Sequence, residues 1–316
     1  MIAYHILCHG NFKQVARLVE SLYSKDDIFL IDIDDGKNPK TRAIEKLAKL
    51  ENVHVKRDAN IAWGAGGTLR KTLEGAFECL DICKRWVYYV VLSGQDLPLK
   101  SNTYIKEQFE KRRTEKMSYI RSHPVLEIDS QSLPPDNRQK HCILWGDRGH
   151  TRVFAKPGAI NPQAAFGARW LVQTCEVGEK GEVYVGNCDR LLLKRRQSFF
   201  KKFPFHVGAN WFNLHRDLIK HMRSDPFALE LYDVLRTTFI PDESYFQTYI
   251  MNSEFRDKTS PDYGRLILRP GPVPRVKVLS MEDWPTIETC SALYGRKFDM
   301  VKERTIVDRV LRARAP

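Results

Sequence analysis

Ile28-Phe29-Leu30-Ile31-Asp32-Ile33-Asp34-Asp35-Gly36 is a short apolar run that ends in carboxylates and a turn. A run of this length, rich in β-branched and large apolar residues, reads as a buried strand, since helices need ten or more residues and show a 3.6-residue period. On its N-terminal side Val15, Leu18, Val19 and Leu22 recur at helical spacing, and before them Tyr4 to Cys8 is a second apolar run. The opening is therefore β-α-β. On the C-terminal side follow a helical stretch from Lys40 to Leu50 and a short strand from Val53 to Val55. Next come a glycine turn at Trp63-Gly64-Ala65-Gly66-Gly67, a helix from Thr68 to about Lys84, and an apolar strand from Trp86 to Leu92 that stops at Ser93-Gly94-Gln95-Asp96. This alternation predicts an α/β fold with a mostly parallel sheet flanked by helices, and ligands in such sheets bind beyond the carboxyl ends of the strands.

From about His123 to Pro204 the periodicity is poor, with Pro134-Pro135, scattered glycines and mixed charge, and the reading is irregular loops. Order returns with Phe205 to Leu214, a helix around Arg216 to Met222 and a helical start at Pro241-Asp242-Glu243. Short strands at Leu266 to Leu268 and Val276 to Leu279 lead to a C-terminal helix over Lys302 to Arg314. Residues 1–316 form one domain on this reading. Residues of about 1–122 form a first half and 205–316 a second, with the loops of 123–204 between them.

With 42% hydrophobic residues, the 316-residue chain has the material for a packed core, and its longest apolar stretch is far short of the ~20 residues of a spanning helix. Met1 to Gly10 reads as a strand and not as a secretory leader, so a cytoplasmic placement is expected. Seven scattered cysteines without a CxxC pair argue against a disulfide framework or a zinc site. Cys79 and Cys83 share a helical face with apolar neighbours and read as small buried residues. The net charge of +12 favours an anionic partner.

Four stretches could carry chemistry. The turn at Trp63 to Thr68 lacks both the dinucleotide fingerprint and the P-loop Lys-Ser/Thr pair; it is either a phosphate-facing helix start or a tight backbone turn. Asp32, Asp34 and Asp35 end a strand on the ligand side, where they could meet a ribose or base, a metal-diphosphate, or only water. Pro241-Asp242-Glu243 puts two acids in a first helical turn, which is a sufficient cap and also a place for a general base. Arg296-Lys297 precedes an aromatic and an acid, and a cationic pair can neutralise a leaving diphosphate.

Taken in order, Tyr4 to His9, Phe29 to Asp34, Trp63-Gly64, Leu92-Ser-Gly-Gln-Asp-Leu-Pro-Leu-Lys-Ser, Gly208-Ala-Asn-Trp-Phe-Asn-Leu-His-Arg, Pro241-Asp-Glu-Ser-Tyr-Phe-Gln-Thr, Asn252-Ser and Arg296-Lys-Phe-Asp resemble glycosyltransferase family fourteen. This is the family of core-2/I-branching β-1,6-N-acetylglucosaminyltransferases and peptide O-xylosyltransferases. The resemblance implies a GT-A fold and an inverting, metal-independent transfer from a UDP-sugar, with N-acetylglucosamine the preferred sugar and xylose the alternative. It implies Glu243 as catalytic base and Lys297 as a diphosphate ligand. The second cation is Arg275 as the nearest match, with Lys277, Arg269 and Arg296 as alternatives. The resemblance makes residues of about 1–122 the nucleotide-sugar-binding half and 205–316 the acceptor and diphosphate-binding half; His9, Asp32, Asp34, Trp63, Gly64 and Asp96 are expected around the nucleotide and donor sugar, and Trp211 and Asp242 on the acceptor side.

No cofactor is expected, the UDP-sugar being a co-substrate. Animal Golgi members carry a membrane anchor and paired cysteines, so the resemblance points to a bacterial enzyme acting on a glycan or lipid-linked glycan. The basic C-terminal helix is available for weak contact with an anionic membrane at its inner face. A nucleic-acid or other anion-binding protein is the competing class, supported only by charge. A GT-A enzyme binding Mn²⁺ through Asp32 and Asp34 is the third reading.

Overall fold

The computed structural model describes residues 1–34, 42–57, 61–125, 143–148, 151–155, 171, 173–180, 182–270 and 276–314. Asp35, Pro134-Pro135, Cys142 and Arg275 lie outside the described residues. The opening runs β1 (Ile2–Cys8), α1 (Phe12–Leu22), β2 (Ile28–Ile33), α2 (Arg42–Leu47), β3 (Val53–Arg57), α3 (Gly66–Ile82) and β4 (Tyr88–Ser93). β2 has no exposed residue and β1 has none beyond partial exposure, because helices cover both faces of the sheet. This burial explains the unbroken apolar runs.

After β5 (Asp96–Pro98) and α4 (Asn102–Lys111) come the short strands β6 (Ser118–Tyr119) and β7 (His123–Pro124). Four strands follow, β8 (Ile143–Arg148), β9 (Thr151–Ala155), β10 (Gln173–Val177) and β11 (Val183–Asn187), and then a helix Arg190–Lys202. They correct the expectation of irregular loops: β8 to β11 form a separate four-stranded sheet. The alternation is masked because polar groups point inward. Gln173 is fully buried at the start of β10, and the buried face of the helix is Leu193, Arg196, Phe199 and Phe200. Arg196 interrupts the apolar stripe yet is held through both terminal nitrogens, donating to the carbonyls of Leu171 at 2.7 Å and Gln173 at 2.8 Å and to the Thr237 hydroxyl at 3.0 Å.

The remaining strands are β12 (His206–Val207), β13 (Asn213–His215), β14 (Thr259–Ser260), β15 (Arg265–Ile267) and β16 (Tyr294–Arg296). The helices Arg216–Ser224, Pro226–Leu235, Tyr245–Met251, Trp284–Thr289 and Arg304–Arg312 complete the chain. Val276 to Leu279, expected as a strand, belongs to none of the described sheets. The helix Pro226–Leu235 is not among the elements the periodicity picks out, although Asp225-Pro226 is a cap-plus-proline start, with the Asp225 carboxylate accepting from the Phe227 amide at 2.9 Å.

The central sheet has the order β14-β6-β13-β4-β1-β2-β3, parallel from β4 to β3 and with β13 antiparallel to both its neighbours. Two apolar cores lie on its faces. One joins α3 to the helices of residues 190–250, the other joins α1, α2 and α4 to the C-terminal helix. That last helix turns Ile306, Val307 and Val310 into the core and leaves Arg304, Arg309 and Arg312 exposed. Among the described residues no helix is long and apolar enough to cross a membrane.

Candidate active site

In the order β3-β2-β1-β4, the chain winds outward from β1 in one direction and then returns to its other side, so the switch point lies between β1 and β4. A crevice forms there because the loops leaving the two strands diverge. A cavity of ≈ 310 Å³ lies at this point, lined by Cys8, His9, Gly10 and Asn11 after β1 and by Ser93, Gly94 and Gln95 after β4, with Asp299 and Val301 closing it. His9 thus lines the crevice.

A buried glutamine in α1 stitches the crevice to the Arg296-Lys297-Phe298-Asp299 segment. The Gln14 amide donates to the Gly94 and Phe298 carbonyls, both at 3.0 Å, and its oxygen accepts from the Met300 amide at 2.7 Å. Sequence reasoning missed Gln14, and its polarity amid Phe12, Val15 and Leu18 is the only signal that could have marked it. β16 continues the connection by pairing with β5, Arg296 opposite Asp96. Asp96 is fully buried, and its Oδ2 accepts from the Ser93 amide at 2.6 Å and the Ser93 hydroxyl at 2.5 Å, with Arg296 Nη1 at 3.9 Å. It therefore holds the turn after β4 and faces Arg296, where a contact with donor sugar was expected.

The second half of the site is built from two loops that fix each other. Gly208 donates its amide to the Glu243 carbonyl at 2.8 Å, and the Gln247 amide donates to the Ala209 carbonyl at 3.0 Å. A Cβ on Gly208 would sit 2.0 Å from the Arg121 carbonyl oxygen, so only glycine allows this approach. The tie positions Asn210, whose side chain hydrogen-bonds the Asp242 carboxyl, and Trp211, whose ring lies 3.7 Å from the Arg296 guanidinium carbon. This cation–π contact brings the two halves together. Trp211, expected on the acceptor side, spends one face on Arg296.

Electrostatics follow from this enclosure. Burial pushes the Glu243 carboxyl up to about 8, the Asp242 charge adds to the rise, and Arg269 and Arg296 pull it back. Burial also pushes Asp242 up to about 6, against its hydrogen bonds. Arg296 is held below the usual guanidinium range by burial, with Asp96 and Glu243 opposing that shift. Its Nε and Nη1 have no hydrogen-bond partner among the described residues. Of the other basic candidates, Lys277 is occupied by Asp283 at 2.7 Å, whereas Arg269 is exposed and acts on both Glu243 and Arg296. The backbone of Lys297 is anchored by the Leu279 amide, which donates to its carbonyl at 2.9 Å.

The remaining expected donor residues have other partners. Asp32 is 2% exposed, with Oδ2 2.9 Å from His5 Nε2, while His5 Nδ1 is 2.6 Å from the Tyr89 hydroxyl. Burial raises the Asp32 carboxyl, but the His5 contact and the Lys71 and Lys56 charges more than offset this and hold it below the usual range. Asp32 thus belongs to a buried network under α3 and not to the open crevice. Asp34, at 5% exposure, donates its amide to the Cys8 carbonyl at 2.8 Å beside the crevice loop. Among the described residues no group of three or more His, Cys, Asp or Glu side chains could hold a metal ion.

Trp63 and Gly64 brace the loop that leads to Glu243. Gly64 has φ +83°, its carbonyl accepts from the Ile240 amide at 2.7 Å, and Trp63 packs edge-on against Phe239. A Cβ on Gly66 would stand 2.3 Å from the Arg236 carbonyl oxygen. Of the two readings of this glycine turn, the close backbone approach is the one these contacts support. Gly66→Ala is expected to destabilise the protein by about 2–3 kcal/mol through overpacking against backbone. The check is the urea midpoint, and an unchanged midpoint would remove the bracing role.

A sequence profile of the family described as Core-2/I-Branching enzyme matches residues 2–129 and 183–267, more than half of the chain and most of the architecture just described. The chain belongs to the Core-2/I-Branching enzyme family. Its mostly parallel central sheet flanked by helices is the GT-A class that the resemblance implies. Among relatives of this family member, mouse Xylosyltransferase 2 is 23% identical over 262 residues, covering 80% of this chain and 24% of the relative. A Xylosyltransferase of Ciona intestinalis is 27% identical over 257 residues, covering 80% and 25%. The chain thus spans about a quarter of the length of these relatives. Mouse xyloside xylosyltransferase 1 in its apo form aligns with 93% of this chain and 97% of that one at 10% identity and a TM-score of 0.35, a likeness too low to bear on the site.

Proposed function

We propose that this Core-2/I-branching chain is an inverting glycosyltransferase that moves a sugar from a UDP-sugar to a hydroxyl of a glycan, lipid-linked glycan or protein acceptor. The observation that carries the reading is the meeting of Glu243, poised near 8, with a guanidinium held on Trp211 beside the strand-end crevice. In the proposed step the acceptor O–H bond breaks and its proton passes to Glu243. The acceptor oxygen forms the new bond to the anomeric carbon as the bond from that carbon to UDP breaks, and the electron pair leaves with the diphosphate. Arg296 and Lys297 neutralise that developing charge, the task that a divalent ion performs elsewhere. Arg269 is the exposed cation best situated to join them; Arg275 keeps its place by resemblance alone.

The names of the relatives weigh toward xylose over N-acetylglucosamine as the transferred sugar, the reverse of the preference read from sequence. Calorimetry with UDP-xylose, UDP-N-acetylglucosamine and UDP-glucose, each with and without EDTA, tests the proposal. UDP-xylose is expected to bind tightest, with the same affinity in EDTA. Absence of binding to any uridine nucleotide would end the glycosyltransferase reading. Binding that EDTA abolishes would return Asp32 and Asp34 to consideration as metal ligands.

A further inference from the structure

A second cavity, of ≈ 440 Å³, lies away from the crevice, between the start of α4 and the helices Trp284–Thr289 and Arg304–Arg312. Leu99, Tyr104, Trp284, Ile287 and Val310 give it an apolar lining, and its size is that of a small-molecule site. Its cationic wall is Lys100 and Arg314. Arg314 donates through Nε to the Val310 carbonyl at 3.0 Å and through Nη1 to the Lys100 carbonyl at 3.3 Å, which fixes its guanidinium plane. Its Nη2 is buried and has no hydrogen-bond partner among the described residues.

No salt bridge involving Arg314 occurs among the described residues, and Glu288, the one acid lining the cavity, is exposed. Burial alone pushes the guanidinium down to about 9, so it is still charged at neutral pH. A held, largely buried cation with an unused donor, set beside an apolar wall, has no anionic acceptor among the described residues.

We propose that this cavity binds a small amphipathic monoanion, its carboxylate or phosphate head on Arg314 and Lys100 and its apolar body against Trp284, Ile287 and Val310. Both halves of the ligand are required: the head supplies the missing acceptor, and the body displaces water from the apolar wall. The site shares no lining residue with the crevice. Its occupancy is therefore readable whether or not the glycosyltransferase reading holds.

The test is calorimetry of the full chain with octanoate, octyl phosphate, 1-octanol and inorganic phosphate, with thermal unfolding followed in parallel. Octanoate or octyl phosphate is expected to bind, and the two arms tell a carboxylate site from a phosphate site. Octanol and inorganic phosphate are expected to bind at least tenfold more weakly. Arg314→Gln should weaken the amphipathic anion about tenfold or more, as for loss of a charge-assisted contact.

Tyr104→Glu is the second variant. It places a carboxylate at the rim, while Ser101, whose hydroxyl accepts from the Tyr104 amide at 3.2 Å, makes it a capping-box position where Glu favours the helix. This variant should fold and lose the anion. Octanol binding as tightly as octanoate, or anion binding indifferent to both substitutions, overturns the proposal; so does absence of binding by both amphiphiles.

Discussion

Glu243→Gln is expected to leave UDP affinity unchanged and to lower turnover by at least ~100-fold, since the amide keeps the shape of the side chain but cannot take the acceptor's proton. The same enclosure sets the pH profile. A base that titrates near 8 in the free protein is mostly protonated at pH 7, so kcat/KM should rise with pH and level off above about 8. Stability should move the opposite way. The folded-state values of Glu243 and Asp242 are both raised above their ordinary ones, so the unfolded chain loses its protons first. Stability from this pair is full below about pH 4 and falls as pH rises through about 6 and then about 8. A flat rate profile together with near-normal turnover in Glu243→Gln would remove Glu243 from the chemistry. A dead Asp242→Asn beside an active Glu243→Gln would move the base by one residue.

Lys297→Ala is expected to raise the Kd of UDP by roughly 10 to 100-fold and to leave uridine almost unaffected, because one charge-assisted contact to the diphosphate is worth about 1.5–3 kcal/mol. Added Mg²⁺ should not restore it. Arg296→Gln supplies the comparison: it should also weaken UDP selectively, and it should further free Trp211, read as a change in indole fluorescence, because the stacked cation is gone. Equal loss of UDP and uridine would instead report a folding defect. Unchanged UDP affinity in Lys297→Ala would transfer the diphosphate to Arg296 and Arg269.

The parallel core was legible because β1, β2 and β4 are buried on both faces, which forces continuous apolar sequence with little ambiguity. Residues 143–202 were not, because β10 carries an inward polar group, Gln173, while Arg196 occupies a core position held by carbonyls 25 and 23 residues away. The same physics divides the site. Pro241-Asp242-Glu243 and Arg296-Lys297 announced themselves as charged residues next to aromatics and turns, and the structure brings Glu243 and Arg296 into electrostatic reach. Asp32 and Asp96 looked equally functional from their places at strand ends. Strand position gives no account of a buried partner, and His5 and Ser93 each take one carboxylate oxygen, the Oδ2 of Asp32 and of Asp96. Gln14 ties the crevice to the 296–299 segment through backbone groups, which a side-chain pattern does not display.

The placement of β13 also has a consequence during synthesis. Asn213–His215 lies between β4 and β6, so the Tyr88–Ser93 strand keeps an open edge until residue 213 has left the ribosome. That edge is almost wholly apolar, and an unpaired edge of this kind templates association with other nascent chains. The first seven elements can align among themselves early, yet their exposed flank waits on a segment more than a hundred residues downstream. Chaperone demand should therefore peak in this interval, and fragments ending before residue 213 should collect as aggregates where the full chain does not.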